Sequence, residues 1–236
     1  MRLALILAAL GSAVALPALA APACAPPAGL TPAPVLAPRP DEVVSGVTNA
    51  FYLLALNWTP QWCAEGGVGA TPKEMECARP FGFTLHGLWP NGADKPYPRY
   101  CRPVGGLDAA TVRQMFCRTP SPVLLQHEWQ AHGACGFDTP KSYFGQAAKL
   151  YDALRLPKIE AIAPDALTAG AVRRAFVTAN PAFGPRDIFV ATTPSGALAE
   201  VRLCYELAYK PAACPGGNGA PDGFRIRLAP SRSGAF

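Results

Sequence analysis

The chain has 236 residues, enough for one domain with a sizeable core, and only 16% of them are charged. Its formal net charge of +5 fits a polyanionic partner without establishing one, since many secreted proteins are as basic. Beyond the N-terminal leader no apolar run is long enough to span a bilayer, which excludes a membrane-spanning helical protein.

Arg2 precedes an apolar run over residues 3–16 and then Ala18-Leu19-Ala20, a small-x-small cleavage site. Residues 1–20 therefore read as a secretory signal peptide, too short and alanine-rich for an anchor. A lipoprotein role for Cys24 has a poor context in Ala21-Pro22-Ala23. Residues 21–46, dominated by alanine and proline, read as a flexible or polyproline-like leader unable to bury enough surface to order itself. The folded domain is expected over 47–236. Export to the periplasm or the extracellular space puts all eight cysteines where disulfides persist.

Within the domain, residues 51–56 read as a buried strand bounded by Asn57 and Pro60. Phe81, Phe83 and Leu85 alternate with Gly82, Thr84 and His86, which places His86 opposite the phenylalanines and facing a cleft. Helical composition follows over 108–115, with Asp108 as N-cap. Ser121-Pro122 and Thr139-Pro140 have the cap-then-proline signature of two further helices, and another is expected over 168–179. Strands are expected over 187–192, 199–207 and 224–228. Without a regular βαβ rhythm, the fold class is α+β: a mainly antiparallel sheet packed with several helices and stapled by disulfides.

The chain has only three histidines, all in two short segments: Thr84-Leu85-His86-Gly87-Leu88-Trp89-Pro90 and His127-Glu128-Trp129-Gln130-Ala131-His132-Gly133-Ala134-Cys135. Glu128 and His132, at i,i+4, share a helical face with Leu124 and Ala131, while Leu125 and Trp129 turn toward the core. A zinc-protease helix needs histidines at i,i+4. Here they are five apart, roughly 140° round a regular helix, so no metal or other cofactor is expected. A strand histidine and a helix histidine, one acting as acid and the other as base, instead suit cleavage of RNA: the base activates the ribose 2′-hydroxyl, and the acid protonates the departing 5′-oxygen.

The two segments resemble the active-site signatures of the ribonuclease T2 family of secreted endoribonucleases. Leu56-Asn57-Trp58-Thr59-Pro60-Gln61-Trp62-Cys63 is similar to that family's first core strand, and the run from Cys135 to Phe144 extends the likeness. The resemblance covers most of the chain from about Phe51 onward. It implies His86 as proton donor, His132 as proton acceptor, Glu128 supporting the transition state, and His127 holding the phosphate. Trp89, Asn91, Tyr97 and Leu124 fall where the family binds bases; stacking there is worth about 1–3 kcal/mol and tolerates different bases. The implied enzyme is a metal-independent phosphorus–oxygen lyase acting on single-stranded RNA, monomeric, with an acidic optimum and no membrane or obligate protein partner.

Plainer readings stand beside these: Trp129 as a core aromatic, Tyr97 as loop packing, His127 and Glu128 as surface groups of a helix. An RNA-binding or host-interaction protein on the same scaffold is the non-enzyme rival. The chief departure is Ala131, where the family usually has lysine. Its loss is expected to slow the reaction and to raise the histidine pKa values. The resemblance implies a Cys101–Cys135 bridge; Cys63–Cys77 and Cys204–Cys214 close short loops, which leaves Cys24 with Cys117.

Overall fold

The sheet is built around β1 (Phe51–Trp58), where Tyr52, Leu54, Leu56 and Trp58 alternate onto one face and are all buried. The computed structural model describes residues 24–65, 75–94 and 97–230; the expected signal peptide lies outside them. A short helix α1 (Thr59–Ala64) follows β1, and β2 (Phe83–Asn91) returns antiparallel along its edge. Then come α2 (Ala109–Met115), α3 (Pro122–Ala131), α4 (Pro140–Asp152) and α5 (Ala169–Ala179), before β3 (Ile188–Thr192) and β4 (Leu198–Glu206). The strand order is β2-β1-β4-β3, and every pairing is antiparallel. The fold is thus α+β, as its alternating patterns predict.

Each of the four later helices begins on a residue whose side chain accepts a backbone N–H: Asp108 from Thr111, Ser121 from Leu124, Thr139 from Ser142, and Thr168 from Ala171. These contacts satisfy otherwise orphaned donors and fix where each helix starts. The core lies on one face of the sheet. There Leu54, Leu56, Leu85, Leu88, Val201 and Leu203 meet Tyr143 and Ala147 of α4 and Val172 and Phe176 of α5. Phe83 links the layers, its ring 4.9 Å from Trp58 and 5.2 Å from Phe176.

Three expectations change. β2 begins at Phe83 rather than Phe81 and runs on to Asn91. Residues 224–228 form no strand: Arg225 and Arg227 make isolated bridges to Thr168 and Ala197, and only Ile226 of the segment is buried. The apparent alternation reflects one residue wedged between the start of α5 and the start of β4.

The Ala/Pro-rich segment is ordered from Cys24 onward, against the expectation of a flexible leader. Cys24 is bridged to Cys117, and Leu30 joins the core. Gln130 clasps Leu36 through both its backbone N–H and its carbonyl. Val44 pairs with Arg99. The segment borrows a core from the domain instead of forming one. The remaining bridges are Cys63–Cys77, Cys101–Cys135 and Cys204–Cys214. None of the described helices is long and apolar enough to cross a membrane.

Candidate active site

The face of the sheet opposite the core carries the polar cluster, and a β-bulge assembles it. Ala55 pairs with Gly87 but Leu56 pairs with Leu85, so His86 is an extra residue in β2. Upstream of the bulge Thr84 and His86 face away from the core; downstream the phase shifts, and Gly87, Trp89 and Asn91 do so. Without the extra residue, His86 and Trp89 would lie on opposite faces. With it, their rings sit 5.0 Å apart.

Facing them is the end of α3. Leu125 and Trp129 are buried in the core, which aims Glu128 at the cluster. Its carboxylate lies over Gly87, where an added Cβ would come within 1.9 Å of Oε2. Oε2 accepts the Trp89 indole N–H at 2.7 Å, and Oε1 stands 3.3 Å from His86 Nε2. His132 is the C-cap of α3, with φ −123° and ψ −49°, and turns out of the helical path. Its ring lies 5.2 Å from Trp89 and 6.1 Å from His127. Nδ1 of His132 is buried without a hydrogen-bond partner among the described residues.

That C-cap geometry corrects the helical-wheel argument: His127, Glu128 and His132 each bring one atom within 4.8 Å of the others. Of the Glu128 oxygens, Oε2 is engaged by the Trp89 indole and Oε1 faces His86.

Sequence reasoning missed the group on the far side of His86. Register on β1 puts Asn57 opposite Glu200 and Ala55 opposite Arg202, so both β4 side chains share the polar face. Glu200 reaches across β1 to His86 Nδ1 at 2.5 Å. Arg202 holds Glu200 Oε2 through Nε at 2.8 Å and Nη2 at 2.6 Å. Its guanidinium is stacked over Trp89 at 4.9 Å and Phe189 at 5.3 Å. The only sequence trace was the Glu-x-Arg spacing on a strand.

Tyr100 was also missed. It takes a left-handed φ of 49°, donates its N–H to the Ala131 carbonyl, and brings its hydroxyl within 3.3 Å of His127 Nδ1.

The two catalytic candidates have opposite charge preferences. Burial alone would lower the His86 pKa, but Glu128 and Glu200 outweigh it and raise it to about 10. Burial lowers His132 to about 4; the positive charges of His127, His86 and Arg99 reinforce this, and Glu128 only partly opposes it. Glu128 is disfavoured as an anion by burial, yet the surrounding histidines hold its carboxyl below the usual range. Glu200 is likewise buried, but His86 and Arg202 pull it down to about 2. At His132 desolvation wins, so its pKa falls below the ordinary value although no lysine stands at position 131. Ala131 is fully buried, with Tyr100 bonded to its carbonyl.

The base-binding candidates are dispersed. Trp89 is in contact with both imidazoles and with Arg202, so protein groups occupy much of its ring. Asn91 is buried and donates to the Trp89 carbonyl. Tyr97 is 48% exposed, and no hydrogen bond or ring contact among the described residues ties it to the cluster. Leu124 is half-buried in the first turn of α3, its N–H capped by Ser121.

Comparison with known proteins follows the same residues. The Ribonuclease T2 family model matches residues 49–214. A probable ribonuclease of Haemophilus influenzae is 34% identical over 119 residues, 45% of this chain and 44% of that protein. A ribonuclease of Aeromonas hydrophila is 38% identical over 86 residues, 36% of this chain and 37% of its own length. The chain thus spans less than half the length of these curated relatives. Among solved structures, trichomaglin, described as an S-like ribonuclease, superposes with a TM-score of 0.60 at 19% identity, over 74% of this chain and 96% of that one. RNase NT in complex with 5′-AMP gives 0.55 at 21% identity, over 76% and 98%. At those identities the structures speak to the fold alone, while the family model takes in both histidine segments and most of the chain: this protein belongs to the ribonuclease T2 family.

Proposed function

We propose that the chain is an exported endoribonuclease that cleaves single-stranded RNA by transphosphorylation, with little base specificity. The observation that carries this reading is the grouping of two imidazoles around one buried carboxylate and one indole, with His86 Nε2 3.3 Å from Glu128 Oε1 and both imidazole rings against Trp89. The carboxylates beside His86 favour its charged form, and burial disfavours that of His132. Near neutrality one is an acid holding its proton and the other a free base, as a reaction needing both requires.

In the proposed step, His132 takes the proton of a ribose 2′-hydroxyl as that oxygen attacks the adjacent phosphorus. The bond to the 5′-oxygen breaks, and His86 delivers its Nε2 proton to the leaving oxygen. The products are a 2′,3′-cyclic phosphate and a new 5′-hydroxyl end. The nucleophile belongs to the substrate, so none is required from the protein. His127, steadied by the Tyr100 hydroxyl, contacts the phosphoryl oxygens. Glu128 keeps the His86 imidazolium in place until the leaving oxygen competes for its proton. The +5 formal charge and the four disulfides suit a polyanionic substrate met outside the cytoplasm.

The test is cleavage of defined oligoribonucleotides in chelator, with end analysis, for wild type, His86→Ala and His132→Ala. Wild type should leave cyclic phosphate ends, and each variant should lose on the order of 10²–10⁴-fold in rate. RNA that is bound but left intact by the wild type would overturn the enzymatic reading.

A further inference from the structure

We propose that Glu200, clamped by Arg202, is the positioning residue for His86: it fixes the imidazole through Nδ1, leaves Nε2 directed at the leaving oxygen, and extends activity into neutral and mildly alkaline solution. This rests on the reading of His86 as proton donor and deepens it.

Geometry carries the argument. β1 separates β2 from β4, so His86 and Glu200 lie two strands apart and must meet above the sheet face. The residues directly beneath are small: Ala55 pairs with Gly87 on one side and with Arg202 on the other. That low row leaves room for the 2.5 Å contact between His86 Nδ1 and Glu200 Oε1. The second Glu200 oxygen is held by two Arg202 nitrogens, and the guanidinium is itself pinned between the Trp89 and Phe189 rings. A carboxylate fixed from behind in this way cannot follow a rotating imidazole. When Nε2 gives up its proton, the Nδ1–H bond to Glu200 remains, so the neutral ring stays in the tautomer that can be recharged at Nε2.

The charged surroundings set the pH range. From α3, Glu128 faces His86, with His132 and His127 beyond it; from β4, Glu200 faces it, with Arg202 behind; on β2 the neighbour is the Trp89 ring edge. Two carboxylates therefore grip one imidazole. Glu128 must release its side when substrate enters, since Nε2 then turns to the leaving oxygen. Glu200 need not release, and so it supplies the charge that persists through the reaction. The acidic optimum implied by family resemblance should accordingly widen upward in this chain.

The experiment compares wild type, Glu200→Gln, Glu200→Asp and Arg202→Gln by kcat/KM against pH on an oligoribonucleotide, together with NMR titration of the three histidines. Glu200→Gln should lower kcat/KM by about 10²-fold near pH 8 while changing it little near pH 5. Its alkaline limb and the His86 titration should both fall to about pH 6, since a hundredfold loss at pH 8 leaves about one His86 in a hundred protonated. Glu200→Asp should recover part of the lost activity at pH 8, and Arg202→Gln, which keeps the carboxylate but frees it from behind, should lower kcat/KM without moving the His86 titration toward acid. A folded Glu200→Gln or Arg202→Gln protein whose profile superposes on wild type overturns the proposal, whether or not the His86 titration moves. Wild type that leaves RNA intact at every pH instead overturns the ribonuclease reading beneath it, so the two failures are distinguishable.

Discussion

Glycine at position 87 is dictated by the carboxylate above it. An ideal Cβ there falls 1.9 Å from Glu128 Oε2 and 2.8 Å from Trp89 Nε1, the two atoms that form the 2.7 Å hydrogen bond at the centre of the cluster. Neither can retreat freely, because Glu128 is buried and Trp89 is packed against both imidazoles and Arg202. Gly87→Ala should therefore fold but push Glu128 from its place by a substantial fraction of an ångström. On the proposed reaction, kcat should fall on the order of 10²-fold with little change in KM, since acid–base alignment suffers more than binding. Steady-state kinetics on a short RNA reads this directly, and a wild-type kcat would mean that the Glu128 position is not critical. Ala131 has the same character: it is fully buried at the end of α3, which is why a residue that reads in sequence as a missing phosphate contact is in this chain a packing position.

The elements carry the residues to one place, and how legible they were depends on the range of the forces involved. Helix starts were readable because Asp108, Ser121, Thr139 and Thr168 cap N–H groups three residues away. The pairing of the two histidine segments was readable through their motifs and the face assigned to His86. The bulge at His86 was not, because it exists only against the β1 register. Nor was the turn of His132 out of α3, since helical periodicity describes only residues inside a helix. Glu200 lay furthest from view: it acts on a residue 114 positions away through a contact set by strand order.

The loop before Cys101 is the element most open to test. Its Tyr100 conformation is tied down by the Ala131 carbonyl and by the Cys101–Cys135 bridge, with a sequence separation of 34. Cutting that bridge in a Cys101→Ser/Cys135→Ser variant should cost about 4 kcal/mol by chain entropy. It should also free Tyr100 from His127, so activity should fall even where the variant remains folded. Denaturant unfolding followed in parallel with RNA cleavage separates the two effects. Activity that merely tracks the folded fraction would limit the loop to a structural role.

At the scale of the whole molecule, long-range ties hold a proline-rich chain together. Arg173 is buried in α5 and ties the C-terminal segment to it, bonding Asp222 and the carbonyls of Asn218, Ala220 and Ile188. The Cys24–Cys117 bridge does the same for the N-terminal segment, across a separation of 93. Within this frame the histidine–carboxylate cluster is itself a stability determinant, and its sign changes with pH. His86 binds its proton more tightly folded, at about 10, than at its ordinary 6.5. That stabilisation is complete below about 6.5 and is lost as pH rises toward 10. His132 behaves oppositely: its folded pKa of about 4 lies below 6.5, so the native state disfavours protonation and loses stability as pH falls from 6.5 to 4. Glu200, lowered from 4.5 to about 2, adds a further loss at lower pH. The melting temperature should therefore peak near pH 6.5 and decline on both sides. His86→Ala should flatten the alkaline decline, and His132→Ala the decline between 6.5 and 4. Calorimetry with the disulfides intact measures this, and a wild-type melting temperature that is level from about pH 6.5 to 9 would contradict the charge assignment of His86 on which the acid role depends.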